Sequence, residues 1–140
     1  MKLIEITDKN IDTSELDSLF QKIGWNKRGN AKWTEVPSKS YFVYSIWDTK
    51  KIIGFGRIME DGTMCMFYDI CVAPDYQNKG IGKQIMEALI KKVKDKNYAS
   101  IGLFAWEENP NNLPFYEKFG FVKVKMGMEL EKYMKRESKT

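Results

Sequence analysis

A chain of 140 residues has the size of one domain, and its 43% hydrophobic and 14% aromatic content is enough to bury a full core. The formal charge of +4, from 23 basic and 19 acidic side chains spread along the chain, permits anionic ligands without demanding a nucleic acid. The chain has no histidine, which excludes His-based acid/base catalysis, Ser-His-Asp and Cys-His triads and every His-containing zinc site.

Taken in order, Lys2–Ile6 alternates as a short strand. Asp12–Ser14 offers helix caps, and Leu16, Leu19, Phe20 and Ile23 recur at helical spacing before Gly24, so an amphipathic helix is expected over about 13–23. Residues 24–39 carry Trp25, Trp33, two glycines and Pro37 without clean periodicity and read as an irregular segment with at most one short helix. Three antiparallel strands follow, over 40–47, 51–59 and 63–73, joined by turns at Asp48–Lys50 and Asp61–Gly62. The third is apolar on both alternating sets, Met64, Met66, Tyr68, Ile70 and Val72 against Cys65, Phe67, Asp69, Cys71 and Ala73, as expected of a strand covered on both sides. Asp69 is its only charge.

After Pro74 a polar turn, DYQNKGIG, leads into a helix striped by Ile81, Ile85, Leu89 and Val93, with lysines on its wet face. Residues 100–106 read as a strand, 111–119 as a short helix stopped by Gly120, 121–125 and 127–133 as a final strand pair, and 135–140 as a frayed tail outside a single domain of 1–134. Cys65 and Cys71 lie on one strand, about 20 Å apart, so they stay free thiols and make no metal site. With no secretory leader and no apolar run of membrane length, a reducing cytoplasmic setting is expected, with no membrane partner.

A strand, a glycine-bearing turn and a helix together form an anion cradle, because the first helical turn presents unpaired N–H groups and the positive end of its dipole. Gln77, Asn78, Lys79, Gly80, Ile81, Gly82 and Lys83 have that layout, the glycines admitting close backbone approach and the lysines adding charge. The pattern is neither a dinucleotide fingerprint nor a P-loop. Two glycines beside a helix start also shape ordinary turns.

The wider pattern resembles the GNAT (GCN5-related) N-acetyltransferases: Gln77-x-x-Gly80-x-Gly82 is similar to the family's Gln/Arg-x-x-Gly-x-Gly/Ala signature, Tyr68–Pro74 to its fourth strand, and Asn109 with Tyr116–Phe121 to its later Asn and Tyr-x-x-x-Gly-Phe motif. The resemblance implies an α/β fold, a mixed, mostly antiparallel sheet of six or seven strands with helices on both faces. It implies acetyl-CoA as co-substrate, no metal, and transfer to a primary amine of a small molecule or peptide by direct attack in a ternary complex. The 77–83 turn would bind the coenzyme pyrophosphate, and a bulge in the fourth strand would expose backbone groups of Ile70, Cys71 and Val72 to pantetheine and the thioester carbonyl. Asn109 would bond the pantetheine arm, and Tyr116 would protonate the departing thiolate, its phenol of pKa about 10 being protonated at neutral pH.

Two readings of Asp69 stand side by side, a buried base for the substrate ammonium or a structural acceptor for loop amides, with Glu35, Glu107 and Glu108 as other base candidates. Trp25 and Trp33 form either an aromatic wall for a cationic amine or hydrophobic lids. A homodimer through sheet edges or residues 127–133 is a further implication of the resemblance. The rival functions are a non-catalytic acyl-CoA sensor, and a nucleic-acid module stacking bases on Tyr41, Phe42, Tyr44 and Phe55, against which the interspersed acidic residues count.

Overall fold

The computed structural model describes residues 2–25, 33–105, 109–124, 128 and 130–132. Strand β1 (Leu3–Ile6) is followed by helix α1 (Thr13–Lys22). Asp12 caps α1 by accepting the Ser14 N–H at 3.0 Å. Its end is a Schellman closure: Gly24 takes φ +91°, its N–H donates to the Gln21 carbonyl, and the Trp25 N–H donates back to Phe20. One turn of helix, α2 (Val36–Lys39), is the short helix anticipated between α1 and the sheet.

Strands β2 (Phe42–Asp48), β3 (Lys51–Glu60) and β4 (Met64–Val72) form the expected antiparallel meander. A single 3-10 turn, Pro74–Tyr76, leads to helix α3 (Ile81–Val93). The crossover returns as β5 (Ser100–Leu103), parallel to β4, before the short helix α4 (Asn112–Glu117). Among the described residues the sheet has five strands in the order β1-β2-β3-β4-β5. The expected C-terminal strand pair is not seen as strand over residues 121–124, and most of its remainder lies outside the described residues.

Helices cover both faces. Phe55 of β3 meets Phe20 of α1, so that face belongs to α1. On the other face Gly54 and Gly56 let α3 sit against the backbone of β3. A Cβ on Gly56 would lie 2.8 Å from Ile85 Cγ2 and 3.3 Å from Leu89 Cδ1. The apolar stripe of α3 (Ile81, Ile85, Leu89, Val93) is buried there as its spacing predicts.

The alternation expected for β4 holds only as far as Tyr68. Arg57 pairs with Tyr68 and Phe55 with Cys71, so Gly56 alone stands opposite both Asp69 and Ile70. This is a β-bulge with Asp69 at φ +58°. One extra residue inverts the period of two: Ile70 packs beside Gly56 and Val72 beside Gly82, on the α3 face with Phe67, whereas Cys71 joins the α1 face opposite Phe55. The two residue sets read from the sequence therefore exchange faces at Asp69.

Candidate active site

The site lies where β4 and β5 part. Their parallel ladder ends at Phe67–Leu103, while β4 continues through the bulge to Val72. Gln77, the first residue of the candidate anion turn, is tied to that strand, its side-chain amide donating to the Val72 carbonyl at 3.0 Å. Asn78 and Gly80 hold φ of +63° and +83°, and Gly80 stands at the start of α3, where its carbonyl accepts the first helical bond from Gln84 at 3.1 Å. The N–H groups of Ile81, Gly82 and Lys83 thus belong to an uncapped first turn, with the exposed side chains of Lys79 and Lys83 at the same end. The 3-10 turn that aims this segment is moored by Tyr76, whose hydroxyl donates to Asp48 at the β2–β3 hairpin and whose ring lies under Lys51.

Helix α4 brings Tyr116 to the same place. Phe115 rests on Gly82, 3.2 Å from where a Cβ would stand, so the second signature glycine also makes room for α4. Gly120, at φ +93°, closes α4 with a second Schellman motif that returns Phe121 to Tyr116. The half-buried Tyr116 ring then packs edge-on to Phe115 and Phe121. Burial, and secondarily the Cys71 thiol nearby, push its phenol up to about 12. Asn109 is exposed, and its side-chain oxygen accepts the Asn111 N–H at 3.0 Å, shaping the entry to α4.

Asp69 is buried at the β4 bulge and meets Arg57 of β3. Its side chain is 4% exposed, and Oδ2 accepts the Arg57 Nε–H at 2.7 Å. The Arg57 guanidinium lies over the rings of Trp33 and Tyr68 and donates from Nη1 to Ser40 Oγ at 3.2 Å. Trp33 is 8% exposed and packs edge-on to Phe20, while Trp25 is half-buried against the same ring. Glu35 is exposed and paired with Lys39. Glu107 and Glu108 lie outside the described residues.

Arg57 and Gly56 escaped the sequence reading. Arg57 is the one charge amid the apolar run of β3, as Asp69 is in β4, and two opposite lone charges on adjacent strands were the available signal. Tyr44 and Phe55 are 2% and 0% exposed, which withdraws half of the rival base-stacking platform. No group of three or more metal-ligating side chains gathers among the described residues, and no helix among them is long and apolar enough to cross a membrane.

A βα crossover with an uncapped helix start beside a parting pair of parallel strands defines a mixed α/β protein with an anion-binding turn. The chain belongs to the Acetyltransferase (GNAT) family, whose model matches residues 9–121. It is 32% identical over 128 residues to an uncharacterized N-acetyltransferase, ycf52, of Pyropia yezoensis, covering 88% of this chain and 72% of that one. To the chloroplastic GCN5-related N-acetyltransferase 1 of Arabidopsis thaliana it is 30% identical over 125 residues, 86% of this chain and 61% of that one. Its fold matches a probable acetyltransferase of unknown function from Staphylococcus aureus with a TM-score of 0.80 at 24% identity, covering 92% and 98% of the two chains.

Proposed function

We propose that the protein transfers the acetyl group of acetyl-CoA to a primary amine by direct attack within a ternary complex. The observation that carries this reading is the parting of β4 from β5 at a bulge that lies one turn ahead of an uncapped helix. The coenzyme pyrophosphate would sit on the amides of residues 80–83 with Gln77, Asn78, Lys79 and Lys83 around it, while the pantetheine arm follows the backbone of Ile70, Cys71 and Val72 toward Asn109. The amine nitrogen attacks the thioester carbonyl carbon, the C–S bond breaks, and Tyr116 donates its proton to the leaving sulfur as the amine's surplus proton passes to water.

A phenol at about 12 is a weak acid for an ordinary thiolate. Burial raises thiols as well, and the Cys65 thiol of this same strand is pushed up to about 11. Burial thus narrows the gap between phenol and thiol, and the proton moves as the C–S bond breaks. We assign Asp69 to the architecture, since Arg57 holds its Oδ2, and Trp33 to the floor under the acceptor segment. Cys71, 7% exposed, supports a route without an acyl-enzyme. The acceptor, a small molecule or a peptide, would enter from the α1 side, in a reducing aqueous compartment.

Calorimetric titration with acetyl-CoA, coenzyme A and ATP, followed by thiol-release assays over amines, amino acids and peptides, tests the proposal. Binding of acetyl-CoA but not ATP, with thiol release for one acceptor class, is expected. Binding without release for any acceptor would favour a sensor, and absence of coenzyme binding would refute the reading.

A further inference from the structure

We propose that Arg57 is the positioning residue of the β4 bulge: by holding Asp69 in its left-handed conformation it sets where the backbone of residues 70–72 meets the acyl donor. The inference rests on the acetyl-donor reading above and adds to it a residue that no signature motif contains.

Asp69 is an L-residue at φ +58°, a left-handed conformation that costs free energy for any residue but glycine, though less for Asp than for most, and that contacts with the surroundings offset. One such contact crosses the ladder from Arg57. Arg57 follows Gly56, the single residue opposite the bulge, and its Nε–H donates to the bulged residue itself at 2.7 Å. The pair therefore spans the bulge across the β3–β4 ladder. Arg57 is in turn fixed by contacts outside the bulge. Its Nη1 donates to Ser40 Oγ at 3.2 Å, Ser40 donates to the Val36 carbonyl at 2.8 Å, and the guanidinium plane lies 5.4 Å from the Trp33 ring and 5.3 Å from the Tyr68 ring.

If φ of Asp69 returned to the extended range, the carboxylate would leave this fork and remain a charge without its partner in a site 4% exposed. The arginine thus ties the bulge conformation to the segment after α1 through the Trp33 face and the Ser40 hydroxyl, and stacks on Tyr68 of β4 itself. A lysine, with no planar fork, reproduces none of that stacking.

A purely structural ion pair would also destabilise the fold when broken, so the test separates the two roles through the residue at 69. R57M, R57M/D69G and R57M/D69A are titrated with acetyl-CoA and with coenzyme A by calorimetry, and their folding is followed by circular dichroism. Both double variants lack the buried charge; they differ in that glycine adopts positive φ freely and alanine does not. R57M should weaken acetyl-CoA binding by about tenfold or more, the loss of roughly one well-made hydrogen bond. R57M/D69G should return to within about threefold of wild type, and R57M/D69A should remain as weak as R57M.

Wild-type affinity in R57M, or equal affinities in the two folded double variants, would overturn the assignment. Should R57M fail to fold, the comparison of the two double variants decides alone. Wild-type protein that binds neither acetyl-CoA nor coenzyme A would instead refute the acetyl-donor reading, and the role of Arg57 would fall with it.

Discussion

Replacing Tyr116 with Phe removes one hydroxyl and leaves the ring between Phe115 and Phe121, so near neutral pH the fold should hold its stability to within about 1 kcal/mol. The difference emerges in alkali. The folded phenol is pushed up to about 12 from an ordinary 10, chiefly by burial. The unfolded chain therefore ionises first, and the stabilisation that comes from keeping this proton is complete below pH 10 and is lost as pH climbs toward 12. Two pKa units correspond to about 2.7 kcal/mol, an upper bound for a half-buried ring.

Urea unfolding of wild type and Tyr116→Phe between pH 9 and 12 measures this directly. The other tyrosines with raised phenols, Tyr44, Tyr76 and Tyr98, titrate in both proteins and cancel in the difference. Wild type should lose up to that amount relative to the variant, and parallel curves would refute the burial argument. Catalytically the same substitution should lower turnover by about two orders of magnitude or more while leaving acetyl-CoA affinity nearly intact, the signature of a proton donor in the transition state. A matching loss of affinity would place the ring in coenzyme binding instead.

Gly56→Ala would force a Cβ to 2.8 Å from Ile85 Cγ2, and overpacking of that kind should cost about 1–3 kcal/mol in urea unfolding. Unchanged stability would mean that α3 yields freely. Gly82→Glu should lower coenzyme affinity by about tenfold or more, because a carboxylate at the start of α3 opposes the anion and its Cβ, 3.2 Å from Phe115, presses on α4; unaltered affinity would remove the turn from the coenzyme site. Trp33→Ala should destabilise the fold by about 3–5 kcal/mol, because the ring packs on Phe20 and beneath Arg57, whereas a loss confined to acceptor affinity would make it a wall of the acceptor site. Cys65 and Cys71 should react with a thiol reagent only as the protein unfolds, being 0% and 7% exposed; rapid labelling of both in buffer would contradict the packing of β4.

The sequence by itself determined the features whose causes are local. Asp12 and Gly24 bound α1 through hydrogen bonds that reach no further than five residues, and the stripe of α3 is buried as its spacing requires. The strand, turn and helix around Gln77–Lys83 were legible for the same reason, since turn chemistry and helix starts are short-range. The tertiary structure alone decided what depends on a neighbouring strand. A bulge cannot be counted from one strand's residues, because it exists only as a mismatch between two, and here Gly56 facing both Asp69 and Ile70 inverts every side chain that follows. The same holds for the partner of Asp69. A buried carboxylate must be matched, but which of the chain's cations reaches it is settled by the β3–β4 register, and that register selects Arg57, twelve residues away.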